Sequence, residues 1–141
     1  SIFRAKKQCC NAVKDMGVNA TIDEVCTAGD AGYVITTTDK DGYGGDIQVS
    51  VGIQSDGTVT GVSFLSLSET AGLGMKAKDD PSWGKQFAGK KADAFSVVKD
   101  GSGSGDDAKI DAISGATITS KAVTGAMNSC LAYFQSLEGG N

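Results

Sequence analysis

The segment from Thr119 to Leu137 places Val123, Ala126, Met127, Cys130, Phe134 and Leu137 at three- and four-residue steps, the spacing of one face of an α-helix. An apolar stripe about five turns long is stable only against another apolar surface. The sequence offers strands to meet it. From Asp46 to Ile53 the residues alternate, with Ile47, Val49, Val51 and Ile53 on one side and Gln48, Ser50 and Gly52 on the other, which predicts a strand with one buried face. Gly32 to Thr38 is rich in β-formers and runs into the turn-like cluster Asp39-Lys40-Asp41-Gly42. Ser55-Asp56-Gly57 predicts a hairpin turn into a strand over 58–68, with an irregularity near Gly61. The expected fold is α+β: a curved, mainly antiparallel sheet with flanking helices at its two ends.

The other elements are read from shorter signals. Ile2 to Met16 is expected to form a helix ended by Gly17, with Phe3, Cys9 or Cys10, and Val13 facing inward. Residues 1–30 are thus an N-terminal helical segment and residues 31–141 the main domain. Asp79-Asp80-Pro81-Ser82-Trp83 reads as a helix start with Pro81 in the first turn and Trp83 and Phe87 turned inward. Ala94 to Lys99 is a strand, and the Gly-Ser run of residues 101–107 is a flexible surface loop.

Composition narrows the function. The chain has 141 residues, enough for one domain with a real core, and contains no apolar run of about eighteen residues that could span a bilayer. A net charge of −4 with scattered lysines argues against nucleic acid. The pairs Lys6-Lys7 and Lys90-Lys91 are read as solvated surface. No histidine is present, which removes the usual general base, the Ser/His and Cys/His nucleophile pairs and the commonest transition-metal ligand. Cys9, Cys10, Cys26 and Cys130 lack Cys-x-x-Cys spacing, so a metal or iron–sulfur site is not expected. At most one disulfide is expected, among Cys9 or Cys10, Cys26 and Cys130.

The chemistry-bearing stretch is Asp111-Ala112-Ile113-Ser114-Gly115-Ala116-Thr117, just ahead of the amphipathic helix. Gly115 and Ala116 leave room beside the Thr117 hydroxyl, and Gly115 tolerates left-handed dihedrals. Thr119 or Ser120 is the expected N-cap. The free N–H groups and positive dipole end of the helix favour a phosphate near Thr117.

Asp111, Ser114, Gly115, Ala116 and Thr117 match the pattern Asp-x-x-Ser-Gly-Ala-Thr, and the chain resembles the FMN-binding domains of the Rnf G and Nqr C subunits. A second stretch, Glu69-Thr70-Ala71-Gly72-Leu73-Gly74, resembles the family's Glu-Thr-Pro-Gly-Leu-Gly loop, with Ala71 in place of proline. The resemblance covers the chain from about residue 31 to the end of the last helix. It implies FMN esterified through its phosphate to Thr117 by a dedicated flavin transferase, with Asp111 part of the pattern that enzyme reads. Glu69, Thr70, Gly72, Leu73 and Gly74 are expected around the flavin ring, and Ser114, Gly115, Ala116, Thr119 and Ser120 around the phosphate. It further implies an electron carrier among other subunits of a membrane ion-translocating ferredoxin:NAD oxidoreductase, on the extracytoplasmic side. In the resembled subunits an N-terminal membrane helix precedes the domain, so this chain is expected to be the soluble portion. The domain alone is not expected to catalyse the complex's reaction. The alternatives are an Nqr C-like protein, an extracellular flavin carrier, a domain binding flavin noncovalently, and a non-redox surface module in which Ser114 to Ser120 only caps a helix.

Overall fold

The computed structural model describes residues 8–15, 20–27, 32–40, 44–67, 69, 75, 81–92, 94–113 and 115–138. Strands β1 (Gln8–Asp15), β2 (Ala20–Thr27), β3 (Gly32–Asp39), β4 (Ile47–Gln54) and β5 (Val59–Ser66) lie in sequence order across one sheet. Every neighbouring pair is antiparallel. Helix α1 (Pro81–Lys85) follows, then β6 (Ser96–Val98), a 3-10 turn (Ser102–Gly105), β7 (Lys109–Asp111) and α2 (Thr117–Glu138). The short strands β6 and β7 pair in parallel. This is the α+β architecture expected.

The core forms where the helical stripe meets the alternating strand. Ile47, Val49, Val51 and Ile53 of β4 and Val123, Ala126, Met127 and Cys130 of α2 are all fully buried and belong to one apolar cluster. Each large side chain in such a place contributes about 1.5–3 kcal/mol by leaving water. Leu137 of the expected stripe has a side chain outside the described residues. Close approach of helix and sheet is permitted at Gly125, where an added Cβ would come within 3.0 Å of the Asp39 Oδ2 atom. Tyr33 of β3 meets Phe134 of α2 edge to face at 5.8 Å between ring centres. Trp83 is core: it packs edge to face on Phe87 and is 9% exposed.

Three expectations are corrected. The helix expected over Ile2 to Met16 is replaced, over its described part, by strand β1, which pairs with β2 in the same sheet as the rest. Strand β2 escapes the period-two test because its register shifts between Ile22 and Glu24. That bulge places Ile22 on the helix side and breaks the alternation. Its extra residue, Asp23, accepts hydrogen bonds from the Thr38 hydroxyl (2.6 Å) and the Gln48 amide (3.1 Å). Lys90 is not solvated surface but 8% exposed, and its ammonium donates to the carbonyls of Gly103 (2.8 Å) and Lys109 (2.6 Å). The Gly-Ser run is an ordered turn, because Gly103 is buried and donates its N–H to Asp111 Oδ1 at 2.9 Å.

Asp111 therefore holds the path of the chain into α2. Its carbonyl accepts from Trp83 Nε1 (2.7 Å) and Gln86 Nε2 (3.1 Å), and its N–H donates to Gln86 Oε1 (2.8 Å). Among the cysteines, Cys26 is disulfide-bonded, and Cys9 faces it in the backbone register. Cys130 is a free thiol, buried, 2.8 Å from the Thr37 hydroxyl. Burial pushes its pKa up to about 12.

Two outcomes follow from this packing. Gly103→Ala would bring a Cβ to 2.8 Å from the Asp111 backbone nitrogen and carboxyl group, so we expect destabilisation by about 1–3 kcal/mol in urea unfolding. The folded Cys130 thiol holds its proton above the unfolded value, so its contribution is full below about pH 9 and is lost as pH rises towards about 12. Wild type should therefore lose up to about 1.4 kcal/mol per pH unit more than Cys130→Ala over that window, measured by denaturant unfolding. Parallel pH profiles of the two proteins would count against a buried neutral thiol.

Candidate functional site

The turn ahead of α2 is built by backbone and one hydroxyl. Gly115 has φ 76°, the left-handed conformation that favours glycine. The N–H of Ala116 donates to the Ile113 carbonyl (3.0 Å), and the first helical bond runs from the Ser120 N–H to the Ala116 carbonyl (3.0 Å). Ala116 therefore occupies the N-cap position, and Thr117 is the first residue of a 22-residue helix. This corrects the expected cap at Thr119 or Ser120. The Ser120 hydroxyl accepts from the Ile113 N–H (2.8 Å) and donates to the Ala116 carbonyl (2.8 Å), so it ties the turn from inside the first turn of the helix.

The hydroxyls of this helix head have different fates. Ser120 is fully buried and doubly bonded, and Thr119, 2% exposed, donates to Glu69 Oε1 at 2.7 Å. Thr117 is half-buried, and its hydroxyl makes no hydrogen bond among the described residues. Beside it, Ile118 is 53% exposed and Lys121 is exposed, and the first turn carries no acidic residue. The N–H groups of Thr117, Ile118 and Thr119 have no acceptor within the helix by its geometry.

Glu69 brings the two sequence motifs together. Besides Thr119, its carboxylate accepts from the Gly44 N–H at 2.5 Å, and its own N–H donates to the Met75 sulfur at 3.4 Å. Thr70, Gly72, Leu73, Gly74 and Ser114, all expected at the site, lie outside the described residues. Gly44 is an addition that sequence reasoning missed: it sits in a Gly-Gly turn with nothing local to mark it. Gln86 and Gly103, which reach the site through Asp111, were missed for the same reason.

The donor set fits a phosphate with a threonine beside it. A left-handed glycine, helix N–H groups without an acceptor in the helix and a nearby lysine all suit an anion. Glu69 opposes it with a negative charge at the same helix end, but that carboxylate is held by Thr119 and Gly44. A surface concavity of about 430 Å³ lined by Asp56, Gly57, Lys91, Ala92, Leu131, Phe134 and Gln135 lies elsewhere. Leu131 is fourteen residues beyond Thr117 along α2, roughly 20 Å at the helical rise, so that hollow is not part of this site.

The FMN-binding domain family matches residues 42–132. The chain is 42% identical over 106 residues to the G subunit of the Na(+)-translocating ferredoxin:NAD(+) oxidoreductase complex of Acetobacterium woodii, covering 75% of this chain and 50% of that protein. It is 44% identical over 108 residues to the G subunit of the proton-translocating ferredoxin:NAD(+) oxidoreductase complex of Clostridium ljungdahlii, covering 77% and 56%. With the C subunit of the Na(+)-translocating NADH-quinone reductase of Vibrio anguillarum it shares 41% identity over 80 residues, 52% of this chain and 31% of that protein. The chain thus spans about half the length of the G subunits it matches. With more than half of its residues matched, the chain belongs to the FMN-binding domain family.

Proposed function

We propose that this domain carries FMN as a phosphate ester of Thr117 and relays electrons as part of a protein resembling the Rnf G subunit in a membrane ion-translocating ferredoxin:NAD oxidoreductase. The observation that carries the attachment is the division of labour among hydroxyls. Thr119 and Ser120 are buried and already bonded, whereas Thr117 is half-buried with its hydroxyl unengaged among the described residues. A transferase can reach that hydroxyl without dismantling the turn. When bound, FMN supplies the redox chemistry, and the chain supplies position and electrostatics.

The chain's own contributions can be assigned. Gly115 and Ala116 leave room for the ribityl phosphate, and the N–H groups at the head of α2 favour its charge by about 0.3–1 kcal/mol. The Thr119 and Ser120 side chains act from beneath, holding Glu69 and the turn, and Thr119 faces the phosphate through its N–H. Ser114, Thr70, Gly72, Leu73 and Gly74 complete the cradle by resemblance. The exposed Ile118 side chain gives the solvent side of the turn an apolar flank. A covalent link keeps the cofactor at high local concentration in a carrier on the extracytoplasmic side. Among the described residues no helix is long and apolar enough to cross a membrane. The match to a C subunit of an NADH-quinone reductase keeps a second assembly in view, with the same attachment chemistry.

Co-expression with a flavin transferase should yield denatured protein whose intact mass includes one FMN, and peptide sequencing should place it on Thr117. Thr117→Ala should lose the adduct with little loss of stability, since no hydrogen bond among the described residues is removed. Flavin surviving denaturation in that variant would move the attachment elsewhere.

A further inference from the structure

We propose that Glu69 is a positioning residue, which clamps the flavin-side loop to the head of α2 instead of touching the flavin. This rests on FMN attachment at Thr117 and names how the ring loop is held relative to it.

One carboxylate joins segments that the chain keeps far apart. Oε1 accepts the Thr119 hydroxyl, fifty residues away, and Oε2 accepts the Gly44 N–H, twenty-five residues away. The Glu69 N–H reaches the Met75 sulfur, so the two ends of the intervening loop meet. Thr119 is the fixed point of this arrangement. It is 2% exposed in the first turn of a helix whose stripe is locked on the sheet, whereas residues 44, 69 and 75 lie outside the strands. Removing the clamp therefore frees Gly44 and Glu69 and leaves the helix in place.

An ionised carboxylate accepts from both donors at once. A glutamine can keep both contacts by turning its amide oxygen to the Gly44 N–H and its NH2 to the Thr119 hydroxyl oxygen, so only removal of the side chain breaks the link. With both oxygens committed to protein, Glu69 has its best acceptor directions already filled, and its effect on the flavin passes through the loop.

The test compares wild type, Glu69→Ala, Thr119→Val and the double variant, in flavinylated and unmodified forms. In unmodified protein, Glu69→Ala should speed amide exchange at Gly44 by about fivefold, the loss of one net hydrogen bond. In flavinylated protein it should shift the visible circular dichroism of the flavin, and Thr119→Val should reproduce part of that shift. The double variant should add little beyond Glu69→Ala, as expected for two residues in one contact. Gly44 exchange unchanged in Glu69→Ala, or flavin shifts that add in full, would overturn the clamp. Should Glu69→Ala fail to fold, Thr119→Val alone decides: it must perturb the flavin spectrum with the adduct still on Thr117, and an unaltered spectrum defeats the proposal. A wild type without any adduct, beside a transferase active on a control, overturns the attachment and the flavin half of this proposal, and the Gly44 exchange still reports the clamp by itself.

Discussion

The burial of one helical stripe against one strand face fixes the rest of this domain. Val123, Ala126, Met127 and Cys130 meet the sheet on the side of Ile35, Val49 and Val51, with no exposed area on any of them. Apolar contact is non-directional, so the stripe sets the side on which α2 lies but not its exact depth. The depth comes from smaller features: the close approach at Gly125 and the Thr37–Cys130 contact. Once α2 is seated, its first turn is held against Ile113 and Glu69, where the proposed site lies.

A polar brace then determines how the chain enters that turn. Asp111 is gripped through its carbonyl, N–H and carboxylate by Trp83, Gln86 and Gly103. Lys90 steadies the same region by donating to the carbonyls of Gly103 and Lys109. A buried ammonium satisfied by carbonyls is an uncommon arrangement and needs good geometry to offset desolvation. Here it lets one side chain hold both ends of a connection that has hardly any apolar residues of its own.

Much of this was legible in the sequence, for reasons that differ by element. Strand β4 and helix α2 declare themselves because each keeps its period over enough residues to show one apolar face, whereas β3 is marked by its β-forming residues and β5 by the hairpin turn before it. The bulge near Gly61 was expected, and the register does shift between Gly52 and Ile53, opposite it. Strands β1 and β2 were hidden: the bulge at Asp23 throws β2 out of phase, and without β2 nothing marks β1 as its partner. Strands β6 and β7 are three residues each, and only β6, with its paired valines, carries a signal. At the site, the two motifs were noticed by resemblance, Gly115 adopts the left-handed backbone open to it, and Ser114 and residues 70–74 lie outside the described residues. The roles of the hydroxyls were not legible. Whether Thr117, Thr119 or Ser120 is engaged depends on groups such as Glu69 that sequence spacing does not connect.

The order of the strands has a consequence for maturation. Each strand of the sheet pairs with its neighbour in sequence, so the sheet consists of successive hairpins that can form from local contacts. The helix head depends on the whole of that history. Its surroundings draw on Gly44, Glu69, Gln86, Gly103, Asp111 and Ile113, and α2 is the last of the described elements along the chain. Thr117 therefore acquires its native setting only when nearly every other part is in place. With FMN attached at Thr117 as proposed, an enzyme that recognises this turn in its folded form would inspect the finished protein, and commitment of the cofactor would become a checkpoint on assembly.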